Sequence, residues 1–401
     1  MSNAFVSHKQ VHNVILPGST IGILGGGQLG RMVAIAGRRM GYRFVTLDPT
    51  PDSPAGQVSD RQIVAAYSDL DAARELAACS DVITYEFENV DARVAALLEQ
   101  ESYVPQGSRL LRTTQHRVRE KQAVQASGAE VAPYVPVRSR CDFDAAIRAL
   151  NCPCVLKTSS GGYDGKGQWL VHNAEDAEKI WPEVEKAAAS QDNDADEPLI
   201  AEQFVPFSKE LSVIVARSAR GEVQSFPVAE NIHRDHILHM SILPARISES
   251  TARSAQRLAE RIAEGLKVVG LLAVEMFLTE DGRLYVNELA PRPHNSGHYT
   301  DDACTVSQFE QHLRAVCNLP LARAELTTPV LMINVLGEHM APLLQAMTHM
   351  DARIKVHLYG KHEARSKRKM GHLNVLGSLE EALAAVRELS VWPPESLSVS
   401  E

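Results

Sequence analysis

Cysteine, surplus positive charge and long apolar runs are all scarce in this sequence, and each shortage removes a class of protein. Cys79, Cys141, Cys152, Cys154, Cys304 and Cys317 are scattered over 401 residues, and Cys152-Pro153-Cys154 lacks the two-residue spacing of a zinc or redox pair. Reduced thiols and a cytoplasmic location are the expectation. The 50 acidic residues exceed the 41 basic ones, for a formal net charge of -9, so no broad basic face for nucleic acid or a membrane surface is expected. No uninterrupted apolar run approaches the roughly 20 residues of a membrane span, and the first residues lack the long apolar core of a signal peptide. A Walker A loop is missing as well: Gly167 follows Gly165-Lys166 where Ser or Thr is required, and Ser160 takes the first glycine's place. The remainder, 44% hydrophobic and 23% charged, is the composition of an ordinary globular protein long enough for two or three domains.

What is present centres on Ala273 to His298, AVEMFLTEDGRLYVNELAPRPHNSGH. Asp281-Gly282 is a dipeptide that closes two-residue hairpins, and apolar-rich runs flank it. With Glu280 and Arg283 beside the turn, counting back along both strands sets Glu275 opposite Glu288. Their Cβ atoms then lie about 5 Å apart, where like charges repel. A divalent cation reverses that repulsion, and Mg²⁺ typically takes one or two carboxylates plus the phosphates of a nucleotide. The plainer alternative exposes one Glu and salt-bridges the other. Against it, Asn287, Arg292, His294, Asn295 and His298 crowd the same segment, and a structural hairpin has no use for so many polar groups.

Nearer the N-terminus, Ile21 to Gly30 reads as a strand running into Gly25-x-Gly27-x-x-Gly30 and then a helix from Arg31 to Met40. The strand Tyr42 to Leu47 ends in Asp48, where a dinucleotide fold holds a ribose, so an NAD-dependent oxidoreductase is a rival reading. Gln28 in the glycine loop and Pro49, Pro51 and Pro54 after the acid speak against it. Glu86 and Glu88 end a further strand, and Glu86 is a candidate for a ribose or amine contact. Arg109 to Ser127 reads as one charged helix. Val155 to Gln168 is a strand ending in Lys157 and a loop with four glycines, a layout suited to covering phosphates. Residues 187–198 are acidic and turn-rich, an exposed loop. Glu202 sits in the strand-like LIAEQFV, Glu210 in an alternating segment, and Ser248 to Val268 is a packing helix.

Taken together, Lys157, GGYDGKGQ (161–168), EQFV (202–205), Glu210, Glu275 and NELAPRPHNSGH (287–298) resemble the ATP-grasp superfamily. With GGGQLGRM near the start and KRKMGHLNV (367–375) near the end, the chain resembles the 5-(carboxyamino)imidazole ribonucleotide synthase family within it. That resemblance implies an α/β fold, α+β in its grasp part. Its parts are a flexible arm (1–19), a doubly wound parallel-sheet domain (20–115), an ATP-grasp domain (116–325) with a lid at about 130–205, and a small C-terminal domain (326–401). It implies ATP with Mg²⁺, Mn²⁺ being a possible substitute, and a homodimer joined through the N-terminal domain. Arg117, Lys157, Gly162, Tyr163, Asp164, Gly165, Lys166, Gly167, Gln168, Glu202, Gln203, Phe204, Val205, Glu210, His233, Asn287 and Glu288 would contact ATP. Glu275 and Glu288 would carry the metal. Gln28, Leu29, Glu86 and Asn295 would receive 5-aminoimidazole ribonucleotide. Formate-dependent glycinamide ribonucleotide transformylase is the near alternative, and the amides of Gln28 and Asn295 favour the imidazole.

The implied chemistry is consistent with the residue types. Bicarbonate is a poor electrophile until the γ-phosphate of ATP turns one oxygen into a leaving group, giving carboxyphosphate, and cations must stabilise the developing charge. Arg292 is the expected cation beside bicarbonate, His294 would orient the site or handle a proton, and Asp164 would position the amine. Lys361, Arg365, Arg368 and Lys369 cluster in an otherwise acidic chain and are assigned to the ribonucleotide 5′-phosphate. Arg368→Ala is accordingly expected to raise the KM for ribonucleotide far more than that for ATP. Steady-state kinetics showing equal rises would remove the assignment.

Overall fold

The computed structural model describes residues 14–161, 166–189 and 197–399. At the N-terminus, β1 (Thr20–Leu24), β2 (Arg43–Leu47), β3 (Arg61–Ile63) and β4 (Val82–Tyr85) form a parallel sheet in the order β3-β2-β1-β4. β1, β2 and β4 read as almost unbroken apolar runs because helices cover both faces, as parallel sheets require. The helix Gln28–Met40 starts directly after the glycine loop and stops at Gly41, whose φ of 93° supplies the left-handed cap. Residues 1–13 of the arm expected over 1–19 lie outside the described residues, and its later part is anchored: Ile15 N donates to Cys317 O at 2.9 Å, and Tyr42 OH donates to Ile15 O at 2.7 Å. Ile15 packs against the core that includes Tyr42 and Cys317, so the chain is pinned from that residue onward.

The expected single helix over 109–127 is two, Gly107–Thr114 and Arg117–Ala126. At the break, Gln115 Nε2 donates to the carbonyls of Glu88 and Val90 at 2.7 and 2.9 Å, and Arg117 N donates to Ser159 O at 2.9 Å. These bonds outcompete helix continuation and turn Arg117 toward the neighbouring layers. The next layer is antiparallel: β5 (Tyr134–Val137), β6 (Cys154–Thr158), β7 (Gln168–Val171) and β8 (Leu199–Gln203), in the order β5-β8-β6-β7. Helices Arg140–Leu150 and Ala174–Ala189 cover it over a core of Phe143, Leu156, Val171, Val184 and Leu199.

The largest element is a nine-stranded sheet of β9 (Phe207–Arg217), β10 (Val223–Ser225), β11 (Ala229–Arg234), β12 (Ile237–Leu243), β13 (Gly270–Thr279), β14 (Leu284–Ala290), β15 (Val330–Leu336), β16 (Ile354–Leu358) and β17 (Lys369–Leu376). Its main path runs β14-β13-β9-β11-β12-β15-β17-β16. The segment 326–399 therefore does not carry a sheet of its own. β15 adds to β12 from Met240↔Ile333 to Leu243↔Val330, which satisfies a sheet edge that would otherwise stay open. Met240 and Ile242 share one core with Leu331, Ile333, Leu373, Val386 and Trp392.

Because sheet and core cross that boundary without a break, Leu373→Ala is expected to cost about 2–5 kcal/mol and to destabilise both sides together. Urea denaturation should show one shifted transition for the nine-stranded body. Separate early loss of residues 326–399 would show that the shared sheet does not couple them.

Candidate active site

The hairpin β13–β14 shows how the two central carboxylates meet. Its loop has three residues rather than two: Thr279 N donates to Arg283 O at 3.0 Å, and Gly282 takes the positive φ of 83° that the turn needs. Pairs next to the loop, such as Leu278↔Leu284, are thus one residue out of the expected step. A bulge that leaves Asn287 unpaired, between Glu275 and Met276 on the facing strand, restores it, so Glu275 does pair with Glu288. Asn287 Oδ1 is left buried without a hydrogen-bond partner.

Strand alternation then separates two faces. Leu211, Val213, Val274, Met276, Leu278 and Leu289 point into a core covered by the helix Glu249–Gly265. The opposite face carries Glu210, Ser212, Glu275 and Glu288, since Glu275 pairs with Ser212 and Phe277 with Glu210. Each acid on it has a basic neighbour. His294 Nε2 lies 3.1 Å from Glu275 Oε1, His233 Nδ1 lies 2.9 Å from Glu210 Oε2, and Arg117 Nη1 lies 3.2 Å from Glu288 Oε2. Burial pushes the Glu275 carboxyl up, but His294, His233 and Arg292 outweigh it and hold it below the usual range. Arg292 pairs through its Nε with Glu88, and its Nη2 donates to Glu88 Oε1 at 3.1 Å. Burial pulls the Arg292 guanidinium down, yet Glu88, Glu288 and Glu275 together keep it raised.

Across from this face, Lys157 Nζ sits 2.9 Å and Lys121 Nζ 3.3 Å from Glu202 Oε2. Burial opposes the Glu202 charge, but these ammoniums and Arg117 bring its carboxyl down to about 2. Glu202 Oε1 is buried without a partner. Burial lowers Lys157 in turn. Lys121 escaped the sequence reading, although it stands one helical turn from Arg117 on the same helix, a spacing that places both on one face. Glu120 escaped it too. Its Oε2 accepts from Leu289 N at 3.2 Å, and burial, reinforced by Glu288, pushes its carboxyl up to about 8.

Gly162, Tyr163, Asp164 and Gly165 lie outside the described residues. Of the rest of the flap, Gln168 pairs with Lys157, and Gly167 O accepts from Thr158 N at 2.9 Å. The crevice between Arg117, Glu120, Ser159, Gly161 and Glu288 measures about 40 Å³. A wider cleft of about 1100 Å³ lies against the connecting segment, lined by Val131, Gln203, Phe204, Val205, Phe207 and Tyr285. Gln203 N and Phe204 N are bonded to Pro133 O and Pro153 O.

At the glycine loop the structure removes the dinucleotide reading. Gly27 N and Gly30 N both donate to Glu86, the latter at 2.6 Å, so the helix N-terminus already holds a carboxylate of its own chain. Asp48 Oδ2 accepts from Gly26 N at 2.8 Å and from Tyr67 OH, which uses the acid that a ribose would need. Glu86 is buried, and burial raises its carboxyl against those amides and the nearby Lys361. Lys361 Nζ donates to Lys369 O at 2.8 Å. Gln28 opens the helix and Leu29 is buried behind it. Arg365 and Arg368 are exposed, the first paired with Glu363 and the second donating to Glu363 O at 3.0 Å, so neither meets Glu86 directly. Asn295 Oδ1 lies 3.1 Å from His298 Nε2.

Three protein families match successive parts of the chain: the ribonucleotide synthetase preATP-grasp domain over 18–115, the ATP-grasp domain over 122–309 and the phosphoribosylaminoimidazole carboxylase C-terminal domain over 330–386. N5-carboxyaminoimidazole ribonucleotide synthase of Bacillus subtilis is 50% identical over 368 residues, 92% of this chain and 94% of that protein. An N5-carboxyaminoimidazole ribonucleotide synthetase solved with ADP superposes with a TM-score of 0.90 at 51% identity, covering 95% of this chain and 98% of that one. The Aspergillus clavatus synthase, solved with ADP and 5-aminoimidazole ribonucleotide, superposes with a TM-score of 0.84 at 30% identity, covering 94% and 98%. With these three domains in this order and half of its residues shared, the chain belongs to the N5-carboxyaminoimidazole ribonucleotide synthase family of ATP-grasp proteins.

Proposed function

We propose that this protein carboxylates 5-aminoimidazole ribonucleotide on its exocyclic amine, using ATP and bicarbonate and releasing ADP and phosphate, as a cytoplasmic homodimeric ligase of purine biosynthesis. The observation that carries the reading is the acid-bearing face on which Glu275 and Glu288 pair across neighbouring strands, ringed by Arg117, Arg292, His233 and His294. The match to the Bacillus subtilis synthase supports the imidazole substrate over glycinamide ribonucleotide with formate. The self-filled glycine loop speaks against nicotinamide chemistry.

The donor set suits Mg²⁺ that arrives with the nucleotide. Glu275 and Glu288 offer hard oxygens, and among the described residues no group of three or more His, Cys, Asp or Glu could hold a resident ion. When bound there, Mg²⁺ would shield triphosphate charge. The unpartnered Asn287 Oδ1 beside Glu288 and the Glu202 Oε1 that the lysines leave free are buried acceptors in want of a donor. A nucleotide's adenine amino group is one such donor for Glu202. Lys157 and Arg117 would then meet phosphate oxygens, with Glu210 and His233 toward the sugar. In the first step, a bicarbonate oxygen attacks the γ-phosphorus and ADP leaves. Arg292, fixed by Glu88, would hold the resulting carboxyphosphate through its remaining N–H groups. In the second, the amine attacks the carboxyphosphate carbon, or CO₂ released from it, and phosphate departs. His294 is the group assigned to orient the site and Asp164 to position the amine, whose proton can leave with the departing phosphate. A flexible glycine-rich flap over the nucleotide suits the exclusion of solvent that carboxyphosphate requires.

ADP release measured with each amine acceptor tests the substrate. Turnover is expected only with the aminoimidazole and bicarbonate, and turnover with glycinamide ribonucleotide and formate instead would overturn the proposal. Glu288→Gln should keep the fold and lower kcat by roughly a hundredfold or more, the size of losing one preorganised electrostatic contact at a reacting phosphoryl group. Burial, helped by Arg368, brings the Lys361 ammonium down to about 8. A cation loses its charge as pH rises, so kcat/KM for the ribonucleotide should fall above about pH 8. Lys361→Arg should move that fall to higher pH, and a profile that stays flat would remove Lys361 from phosphate binding.

A further inference from the structure

Behind His294 runs a line of buried polar side chains that the proposed reaction does not use. Ser241 Oγ donates to Asn231 Oδ1 at 2.8 Å, Asn231 Nδ2 donates to Ser212 Oγ at 2.9 Å, and Ser212 Oγ donates to Ser296 Oγ at 2.8 Å. Ser296 Oγ lies 2.8 Å from His294 Nδ1, and the line ends at Glu275 Oε1, 3.1 Å from His294 Nε2. All four serine and asparagine side chains are buried, none more than 4% exposed. They run from β12 through β11 and β9 to the loop after β14, so the line crosses the sheet on the same face as Glu210 and Glu275.

Both ends give it one direction. A main-chain N–H can only donate, and Ser296 N lies 3.3 Å from His294 Nδ1, so Nδ1 is an acceptor. An ionised carboxylate can only accept, so the nitrogen facing Glu275 carries the proton. Asn231 sets the tail: its NH₂ occupies a lone pair of Ser212 and leaves that hydroxyl's single proton for Ser296, whose own proton is then free for His294. The His294 backbone is clamped as well, its N donating to Gln308 Oε1 at 2.9 Å and its O accepting from Gln308 Nε2 at 2.8 Å. Gly297 cannot become larger there, because a Cβ would lie 2.6 Å from Gln308 Oε1.

We propose that Ser296, Ser212 and Asn231 are positioning residues whose one-way hydrogen bonds fix the His294 imidazole as the Nε2–H tautomer, donating to Glu275. Two consequences follow for the site, both resting on the reading of Glu275 as a metal-bearing carboxylate. The donated bond holds one Glu275 oxygen in place, as outer hydrogen bonds orient metal-binding groups elsewhere. It also keeps the Nε2 lone pair occupied by a proton, so the cation meets carboxylate oxygens rather than imidazole nitrogen. That arrangement favours a hard ion such as Mg²⁺ over one that prefers nitrogen.

The test uses the full chain labelled with ¹⁵N on histidine, with a His294→Asn spectrum to identify the His294 signals among the 15 histidines. The wild-type protein should show a protonated Nε2 and a hydrogen-bonded, unprotonated Nδ1. In Ser296→Ala, and in Ser296→Cys, which keeps the side-chain volume, Nδ1 should move toward the value of an unbonded ring nitrogen. The Mg²⁺ concentration for half-maximal ADP release should rise about tenfold, the lower end of what loss of an outer hydrogen bond costs a metal site, with the KM for ribonucleotide within about twofold of wild type. A protonated Nδ1 in the wild type overturns the proposal. So do variants in which neither the Nδ1 resonance nor the Mg²⁺ requirement changes. A wild-type enzyme indifferent to Mg²⁺ would overturn the metal reading of Glu275 instead, and the imidazole resonances would still decide the hydrogen-bond line.

Discussion

Two carboxylates held opposite one another on adjacent strands repel, and the rest of this site is arranged around that repulsion. Glu275 and Glu288 occupy facing positions on β13 and β14, and each draws its counter-charge from a different part of the chain. His294 comes from the loop directly after β14, Arg117 from the start of a helix packed against β14, and Arg292 brings with it Glu88 from the N-terminal domain. A single electrostatic constraint thereby connects the parallel-sheet domain, the grasp sheet and the segment between them. Arg292, facing three carboxylates at once, keeps its charge favoured although it is largely withdrawn from solvent, because attraction exceeds the desolvation cost.

The glycine loop shows how the same local geometry serves different ends. Its amides make an anion site, as any helix N-terminus does, but the anion is the carboxylate of Glu86. The Gly26, Gly27 and Gly30 amides that a dinucleotide would use are therefore already taken. Instead the buried acid sits near the ammonium of Lys361, which belongs to the C-terminal segment. That proximity depends on the strand addition of β15 to β12, since the continuous sheet carries β16, β17 and their intervening loop back toward the N-terminal domain.

Much of the site could be read from residues whose types are odd for their places: Lys157 at the base of a glycine loop, an acid on each arm of a hairpin, polar residues crowded into 287–298. The Glu275–Glu288 pairing was also legible, though the turn assumed for it was wrong. A three-residue loop shifts the strands by one, and the bulge at Asn287 shifts them back. Nothing in single-sequence periodicity distinguishes that compensation from a simple two-residue turn. Glu88, Glu120 and Lys121 were not legible as site residues, because a charged side chain on a helix or strand end is by default solvated. Only the packing of their elements turns them inward, where burial makes each one depend on its partner.

The sequence alone determined the kind of chemistry. Residue types with hard oxygens, cations and flexible glycines restrict what can be bound, and their order along the chain identified the family before any contact was visible. Tertiary structure decided which groups are already paired, and so which remain for a ligand. Hydrogen bonds and ion pairs are made between atoms a few ångströms apart, and in this fold those atoms are contributed by residues as distant in sequence as Glu88 and Arg292, or Ser212 and Ser296. Composition and spacing record what a side chain can donate or accept. Only the folded chain fixes where each proton points.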